Sequence, residues 1–192
     1  KRTGQAWVKT QCDLVDEGMP SPKEAILMVP ADSLSQLLAP NRDPQAAEAA
    51  KAEGRLLAVG LNAGPGAATG KLAFTADDAH ERALAGEKVI LVRHETTPED
   101  IHGMVAAEGI LTARGGLTSH AAVIARGMGK PCVVGCQDLD IDLDTKVLKI
   151  GVHELTSGHE ITIDGTSGEV YAGTISIVPS EVIQVLVDGT LK

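Results

Sequence analysis

The chain has 192 residues, of which 43% are hydrophobic, and its 26 acidic and 17 basic side chains give a formal net charge of −9. This length and composition suffice for one sizeable hydrophobic core and exclude a disordered or fibrous chain. Aromatic residues make up only 2% of the chain, too few for a base-stacking platform. Because the net charge also repels phosphate backbones, nucleic-acid binding is disfavoured, and a phosphorylated small substrate would need a local positive or dipolar site.

No apolar run approaches the roughly 18 residues that a bilayer span needs, and the first residues lack a signal-peptide pattern. We therefore expect a cytoplasmic protein, or an organellar one in a eukaryote. The three cysteines, Cys12, Cys132 and Cys136, are odd in number and lack a CxxC spacing. This pattern favours structural, reduced thiols over a disulfide framework or a zinc site.

The first 55 residues predict short helices. Gly18 offers a stop for the first helix, and Ser21 with Glu24 forms a capping box for the second. Asp43, followed by a proline, opens an alanine-rich third helix that closes at Gly54. No residue pattern in this part points to chemistry.

From Leu56 onward the pattern changes to short β-branched runs that alternate with helices, which is typical of an α/β fold. The capping signals predict a helix from Thr75 to Gly86 and another that begins at Thr97. Further on, only strands are predicted, and the last two form a hairpin. In chain order we predict strands at 71–74, 88–92, 109–113 and 131–135, a helix over 121–128, and strands at 146–150, 160–164 and 169–172.

Two apparent motifs fail on inspection. The stretch 64–71 resembles a phosphate-binding loop, but GxxxxGK[ST] would need a hydroxyl residue where Leu72 stands, so we predict a tight loop before a strand. His153 and Glu154 suggest HExxH, yet the next histidine, His159, comes six positions after His153 instead of four. We interpret His80, His94 and His102 as solvated or locally bonded, since none has a partner at ligand spacing.

The stretch 112–127 carries the chemistry, because a buried strand leads through two glycines and two hydroxyl residues to His120 and then into a helix. Unpaired N–H groups and the positive dipole end at this helix N-terminus favour an anion and disfavour an imidazolium. A neutral imidazole is the form that acts as a nucleophile. If His120 accepts a phosphoryl group, the same helix end stabilises the product without a metal.

The neighbours of His120 can support a phosphate. We expect Gly115 and Gly116 to turn the backbone sharply, with positive φ at Gly116, and either Thr118 or Ser119 to cap the helix. Arg126 lies about 120° around the helix from His120, so a structural ion pair is favoured over a phosphate clamp. Each role has an alternative, since a strand–GG–helix turn is common in α/β proteins and a histidine at a helix start can be a simple cap.

The sequence GGLTSHAAVIARGMGKPCVVG at 115–135 resembles the phosphohistidine signature of the phosphoenolpyruvate (PEP)-utilising enzymes, and within them the pyruvate phosphate dikinases. Similar stretches lie at 60–79, 86–116 and 163–173, and the likeness extends over residues 1–178. The resemblance implies a three-layer swivelling β/β/α phosphohistidine domain preceded by a short helical segment. It divides the chain into a segment of the preceding nucleotide-binding region or linker (1–55), the swivelling domain (56–176) and a C-terminal linker (177–192).

In that family, the histidine that matches His120 is phosphorylated by an ATP-grasp nucleotide-binding domain and donates to pyruvate in a separate barrel domain. The resemblance implies that these two domains are the partners, in a parent that is a homodimer. We expect no cofactor in this domain, magnesium in the neighbouring domains, and no turnover by this chain alone. By resemblance to plant-type dikinases, Thr118 is a candidate regulatory phosphorylation site.

Related carriers remain as alternatives. Water-dependent PEP synthases usually carry cysteine where Ser119 stands, and sugar-transport Enzyme I carries GGRTSH, whereas this chain has Leu117 at the third position. The tail after Pro179 departs from the family pattern. An alternative of another class is a non-catalytic scaffold module in which 115–129 is only a packed turn and helix.

Overall fold

The computed structural model describes residues 4–30 and 37–180 of the chain, with side chains from Trp7 onward. The chain divides into two compact units, one drawn from 1–39 and 179–192, and the other formed by Pro40–Val178. No helix in the described ranges is long and apolar enough to cross a membrane.

The first unit contains two helices in its described part, α1 (Gly4–Asp16) and α2 (Pro22–Leu27). Gly18, with φ of +77°, follows α1, as predicted from its position. The predicted capping box is confirmed: Ser21 N–H donates to Glu24 Oε2 at 2.9 Å, and Glu24 N–H donates to Ser21 Oγ at 3.4 Å.

The second unit has the alternating α/β order that the sequence predicts. Its helices begin at short polar caps, Asp43 accepting from Gln45 N–H at 2.9 Å and Thr75 from Asp78 N–H at 3.1 Å. The elements in chain order are β1 (Asn41–Arg42), α3 (Pro44–Ala52), β2 (Leu56–Val59), β3 (Leu61–Gly64), β4 (Ala67–Ala73), α4 (Ala76–Leu84), β5 (Val89–Arg93), a 3₁₀ turn (Pro98–Asp100), α5 (Ile101–Ala106), β6 (Gly109–Thr112), α6 (His120–Met128), β7 (Cys132–Val134), β8 (Asp140–Asp142), β9 (Val147–Ile150), β10 (His153–Thr156), β11 (Glu160–Asp164), β12 (Glu169–Ala172) and β13 (Ile177–Val178).

One eight-stranded sheet, with the order β2-β12-β11-β4-β5-β6-β7-β3, organises this unit. Strands β4 to β7 run parallel, and the other pairs are antiparallel. Only Gly60 separates β2 from β3, which stand at opposite ends of this order, so the sheet folds back on itself. A Cβ at Gly60 would lie 2.7 Å from Val133 Cγ1, so this close approach requires glycine.

Successive side chains of the parallel strands point to opposite faces of the sheet, and each face packs into its own hydrophobic core. Ile90 and Val92 of β5 point into a cluster shared with the antiparallel strands and with the separate sheet β10-β9-β8. Val89 and Leu91 point to the other face, where Met104 and the alanines of α6 pack. The resulting layers, two of β structure and one of helices, confirm the predicted β/β/α class.

The compact unit begins at Pro40 instead of at residue 56. Helix α3 packs through Ala47 and Ala50 on Tyr171 and Ile175, so it shares a core with β12. Arg42 also pairs with Asp164 at 2.5 Å and Glu169 at 2.9 Å, both poorly exposed. Segment 40–55 therefore packs with the sheet within this compact unit.

The two rejected motifs lie largely on strands. Residues 65 and 66 form the turn between β3 and β4, so only this part of 64–71 is the predicted loop, and His153 and Glu154 lie on strand β10. The hairpin of β11 and β12 is confirmed, with Asp164 opposite Glu169. The predicted start of β4 is four residues too late, at Lys71 instead of Ala67, and β1, β2, β3, β8 and β13 are not predicted.

Candidate functional site

The candidate site lies where the parallel strands end. The segment 94–100 follows β5, and the segment 113–119 follows β6 and leads directly into α6. Since β5 and β6 are adjacent and parallel, their following loops meet at one edge of the sheet. Arg114 N–H donates to His94 O at 2.8 Å and joins the two segments.

Gly115 makes the turn ahead of α6, with φ of +106°. A Cβ at this position would lie 2.9 Å from Ser119 Cβ, so the glycine also permits the close approach of the capping serine. Gly116 differs, because its φ is outside the left-handed region and nothing lies within 4 Å of a Cβ built there. The prediction of positive φ at Gly116 was wrong, and the conformational requirement belongs to Gly115.

Ser119 is the N-cap of α6. Its extended backbone (φ −64°, ψ 162°) lets Oγ accept from Ala122 N–H at 3.4 Å, and its own N–H donates to Gly116 O at 2.9 Å. Of the two hydroxyl residues considered as caps, the structure therefore uses Ser119. Thr118 is exposed, and its regulatory role stays a prediction.

His120 is the first residue of α6 and is partly buried. Its Nδ1 lies 3.2 Å from the hydroxyl of Thr96, which is 7% exposed. Among the described residues, no hydrogen bond occupies Nε2. The imidazole is therefore held from its Nδ1 side, and Nε2 is the nitrogen available to a reaction partner.

Sequence reasoning missed Thr96. The available sign was a hydroxyl residue just after a strand that is parallel and adjacent to the strand before His120. Nearby, the pKa of Glu99 is lowered, first by hydrogen bonding from the Thr97 side chain and the backbone, and to a smaller degree by the charge of His120. The loop that carries Thr96 therefore also carries a carboxylate that interacts electrostatically with the imidazole.

Arg126 fixes the backbone of the site. Its guanidinium donates to Ala63 O at 3.0 Å and to Leu117 O at 2.6 Å, so it ties the turn before His120 to β3. The expected ion pair is absent among the described residues, where no carboxylate reaches this guanidinium. The two carbonyls satisfy the charge because the helix directs the side chain away from His120, toward β3. A phosphate-supporting role for Arg126 stays a prediction.

His80, His102, His153 and His159 are locally bonded or solvated. His102 Nε2 lies 2.9 Å from Asp77 Oδ1, and the rings of His80 and His102 meet edge to face at 5.8 Å. His159 Nδ1 accepts from Thr156 N–H at 3.0 Å. Across residues 7–30 and 37–180, no group of three or more His, Cys, Asp or Glu side chains could hold a metal ion.

All three cysteines are free thiols. Burial raises the pKa of Cys132 to about 12 and that of Cys136 to about 11, so both remain protonated at neutral pH. The prediction of reduced, structural thiols is confirmed for these two residues, which pack in the two cores. Cys12 is exposed on α1.

Part of the chain, including the site, matches a known family model. Residues 85–168, which contain β5 to β11 and the site, match the family model described as PEP-utilising enzyme, mobile domain. This part of the chain is therefore similar to that mobile domain.

Over most of its length the chain is similar to pyruvate, phosphate dikinases. It is 51% identical over 175 residues to the protein of Clostridium symbiosum, covering 91% of this chain and 20% of that protein. The Entamoeba histolytica protein is 49% identical over 182 residues, covering 95% and 20%, and an Arabidopsis thaliana protein named as chloroplastic is 47% identical over 180 residues, covering 93% and 18%. The chain spans about a fifth of the length of these relatives. The resemblance of residues 115–135 is thereby confirmed.

Similarity to solved structures is weaker. The "N-terminal domain of Enzyme 1 - Nitrogen" matches with 22% identity and a TM-score of 0.30, covering 54% of this chain and 36% of that one. An NMR structure of Enzyme I matches with 25% identity and a TM-score of 0.32 over the same shares. At these scores the fold assignment depends on the topology and the two cores described above.

Proposed function

We propose that this chain is the phosphoryl-carrier domain of a pyruvate, phosphate dikinase and that His120 carries the phosphoryl group. The observation that carries the proposal is the placement of His120 at the start of α6 with Nδ1 beside Thr96 and Nε2 without a partner among the described residues. The similarity of the chain to pyruvate, phosphate dikinases over more than nine-tenths of its length supports it.

The hydrogen bond to Thr96 selects the nucleophile. When Nδ1 bears the ring proton and donates to Thr96 Oγ1, Nε2 presents its lone pair. Nε2 then attacks the phosphorus, a P–N bond forms, and the bond from phosphorus to the leaving oxygen breaks. The positive charge that the ring gains is shared with the Nδ1–H···Oγ1 bond, and the transfer reverses when an acceptor attacks the same phosphorus.

The N-terminus of α6 stabilises the phosphorylated state. Its first N–H groups point toward the side on which His120 lies, and the helix dipole favours negative charge there. Gly115, Gly116 and Ser119 keep the approach to this end free of bulky side chains, which is their phosphate-supporting role in this proposal.

The parent enzyme supplies the two reaction sites. An ATP-grasp nucleotide-binding domain would phosphorylate His120, and a pyruvate/PEP-binding barrel would receive the group, with magnesium bound in those neighbouring domains. Tethering makes each transfer intramolecular, so linker length sets the effective concentration. A homodimeric parent, and a cytoplasmic location or an organellar one as in the relatives named chloroplastic, complete the proposal.

Mixing this chain with the nucleotide-binding domain of its parent, ATP and magnesium tests the proposal. We expect a mass increase of one phosphoryl group that is labile in acid, stable in base and located on His120 by fragmentation. His120→Asn should abolish it. His102→Asn is the matched control, because His102 is an exposed helical histidine whose ring is bonded to Asp77 instead of Thr96.

The outcomes separate the alternatives. Phosphorylation by PEP together with a small acceptor protein, but not by ATP, would favour an Enzyme I-type carrier, and absence of any transfer would favour the scaffold module. The chain alone, given ATP, phosphate and pyruvate, should produce no PEP. Steady PEP production by this chain would contradict the proposed division of labour between domains.

A further inference from the structure

The segment 94–100 is anchored by a buried carboxylate. Asp100 is 5% exposed, and its Oδ2 accepts from Thr97 N–H at 2.9 Å and from the Thr97 hydroxyl at 3.3 Å. Its Oδ1 lies 3.4 Å from Arg93 Nη2, at the end of β5. The carboxylate thus connects both ends of this segment to each other.

The partner, Arg93, is held to the sheet. Its Nη1 donates to Phe74 O at 3.3 Å, so the guanidinium links β5 to the end of β4. Its Nε is buried and has no hydrogen-bond partner in the described part of the chain. A buried donor without a partner opposes folding, and an apolar pair at these positions would avoid that penalty. The pair is therefore poorly explained as a device for stability alone.

What the pair does fix is the peptide next to Thr96. The Thr97 N–H that Asp100 binds belongs to the peptide unit formed with the Thr96 carbonyl. Holding that N–H fixes the orientation of the plane from which the Thr96 side chain departs. The Thr96 hydroxyl, in turn, lies 3.2 Å from His120 Nδ1.

We propose that Asp100 and Arg93 are positioning residues for His120: through Thr97 and Thr96 they hold the hydroxyl that keeps the ring proton on Nδ1. The consequence for phosphoryl transfer rests on the proposed function, whereas the effect on the imidazole is a property of this chain by itself. Neither residue contacts the reacting nitrogen. Their effect is on which tautomer of His120 is populated.

Nitrogen NMR of the isotope-labelled 192-residue chain tests this at a pH where the imidazole is neutral, because the ¹⁵N shifts of Nδ1 and Nε2 report which atom bears the proton. In the unsubstituted chain we expect the Nδ1–H tautomer to predominate. Thr96→Val, which removes the hydroxyl, should lower the ratio of Nδ1–H to Nε2–H by about fivefold, the worth of one ordinary hydrogen bond. Asp100→Asn should also lower the ratio of Nδ1–H to Nε2–H, by a factor of about two to five.

Asp142→Asn is the matched control, since Asp142, like Asp100, accepts backbone N–H donation within a turn, in its case from Asp144 at 2.9 Å and Thr145 at 3.0 Å. It lies on the edge strand β8 and should leave the His120 ratio unchanged. Arg93→Gln provides a second route if Asp100→Asn does not fold. Because the two residues act as one unit, the double variant should change the ratio no more than the larger single change.

An unchanged ratio in a folded Asp100→Asn or Arg93→Gln variant, alongside a changed ratio in Thr96→Val, would overturn the proposal. An unchanged ratio in Thr96→Val would overturn it as well, since the hydroxyl would then not govern the tautomer. These outcomes are independent of the proposed function. A chain whose tautomer responds as expected but that accepts no phosphoryl group would retain the positioning pair and lose only the carrier role.

Discussion

The two adjacent glycines before His120 should respond very differently to the same small substitution. In Gly115→Ala, a residue with φ of +106° acquires a Cβ 2.9 Å from Ser119 Cβ and 3.0 Å from Ser119 Oγ. Such contacts force either the turn or the capping serine to move. In Gly116→Ala, the new Cβ meets nothing within 4 Å, and the backbone is one that alanine adopts.

The structure sets the magnitudes. Strain at an unfavourable φ costs about 1–3 kcal/mol, and loss of an N-cap adds about 1 kcal/mol, so Gly115→Ala should lower the free energy of unfolding by about 2–4 kcal/mol. Gly116→Ala should stay within about 0.5 kcal/mol of the unsubstituted chain, or gain slightly because the unfolded chain loses freedom.

Urea unfolding of the three chains, followed by far-UV circular dichroism, measures both changes. A midpoint shift without a change in slope would identify a change in stability. Equal losses for the two variants, or a larger loss for Gly116→Ala, would refute the assignment of the turn to Gly115. The same pair tests the site, because displacement of Ser119 in Gly115→Ala should also move the helix start that carries His120.

Three further predictions concern particular side chains. Thr118→Asp should slow the phosphorylation of His120, measured by quenched flow, because a second anion competes for the same helix N-terminus. Thr118→Val should retain most of the rate. Equal rates for Thr118→Asp and the unsubstituted chain would contradict the electrostatic argument. Lys146 has φ of +53°, so Lys146→Gly should raise the free energy of unfolding by up to about 1 kcal/mol. A lower melting temperature for this variant would show that the contacts of the Lys146 side chain stabilise the fold by more than the left-handed backbone destabilises it. Burial raises the pKa of the Cys132 thiol from 9.0 to about 12, so the stability that this buried thiol contributes is complete below pH 9.0 and is lost as the pH rises through about 12. A thiol reagent at neutral pH should label the exposed Cys12 first. Rapid labelling of Cys132 in the folded chain would contradict its burial.

The elements that the sequence predicted best are the helices that begin at a capping residue. Ser21 with Glu24, Asp43 and Thr75 each marked a helix start that the structure shows. These caps act locally, so a short window of sequence contains the whole interaction. Strands β2 and β3 were missed for the opposite reason, because the sheet that pairs them is assembled from residues more than 65 positions away.

The site shows the same division. The position of His120 at a helix start follows from the residues just before it, and the capping role of Ser119 was among the alternatives. Thr96 is 24 positions from His120, and Ala63, whose carbonyl accepts from Arg126, is 63 positions from Arg126, so no local pattern reveals them. The prediction placed the positive φ at Gly116, whereas the structure has it at Gly115, next to Ser119. The two glycines do not specify where Ser119 packs, so the sequence did not distinguish between them.

The pairing of β1 with β13 has a consequence for how this unit can be handled. Asn41 lies directly opposite Val178 in an antiparallel pair, so the first and last strands of the unit are hydrogen-bonded neighbours, with about 5 Å between the paired Cα atoms. A unit with adjacent termini behaves as a cassette: it can be excised, inserted into a surface loop of a host protein, or circularly permuted by a linker of a few residues. A polypeptide of residues 40–178 whose ends are joined in this way should keep its core and its site, since no strand of the main sheet would have to be cut.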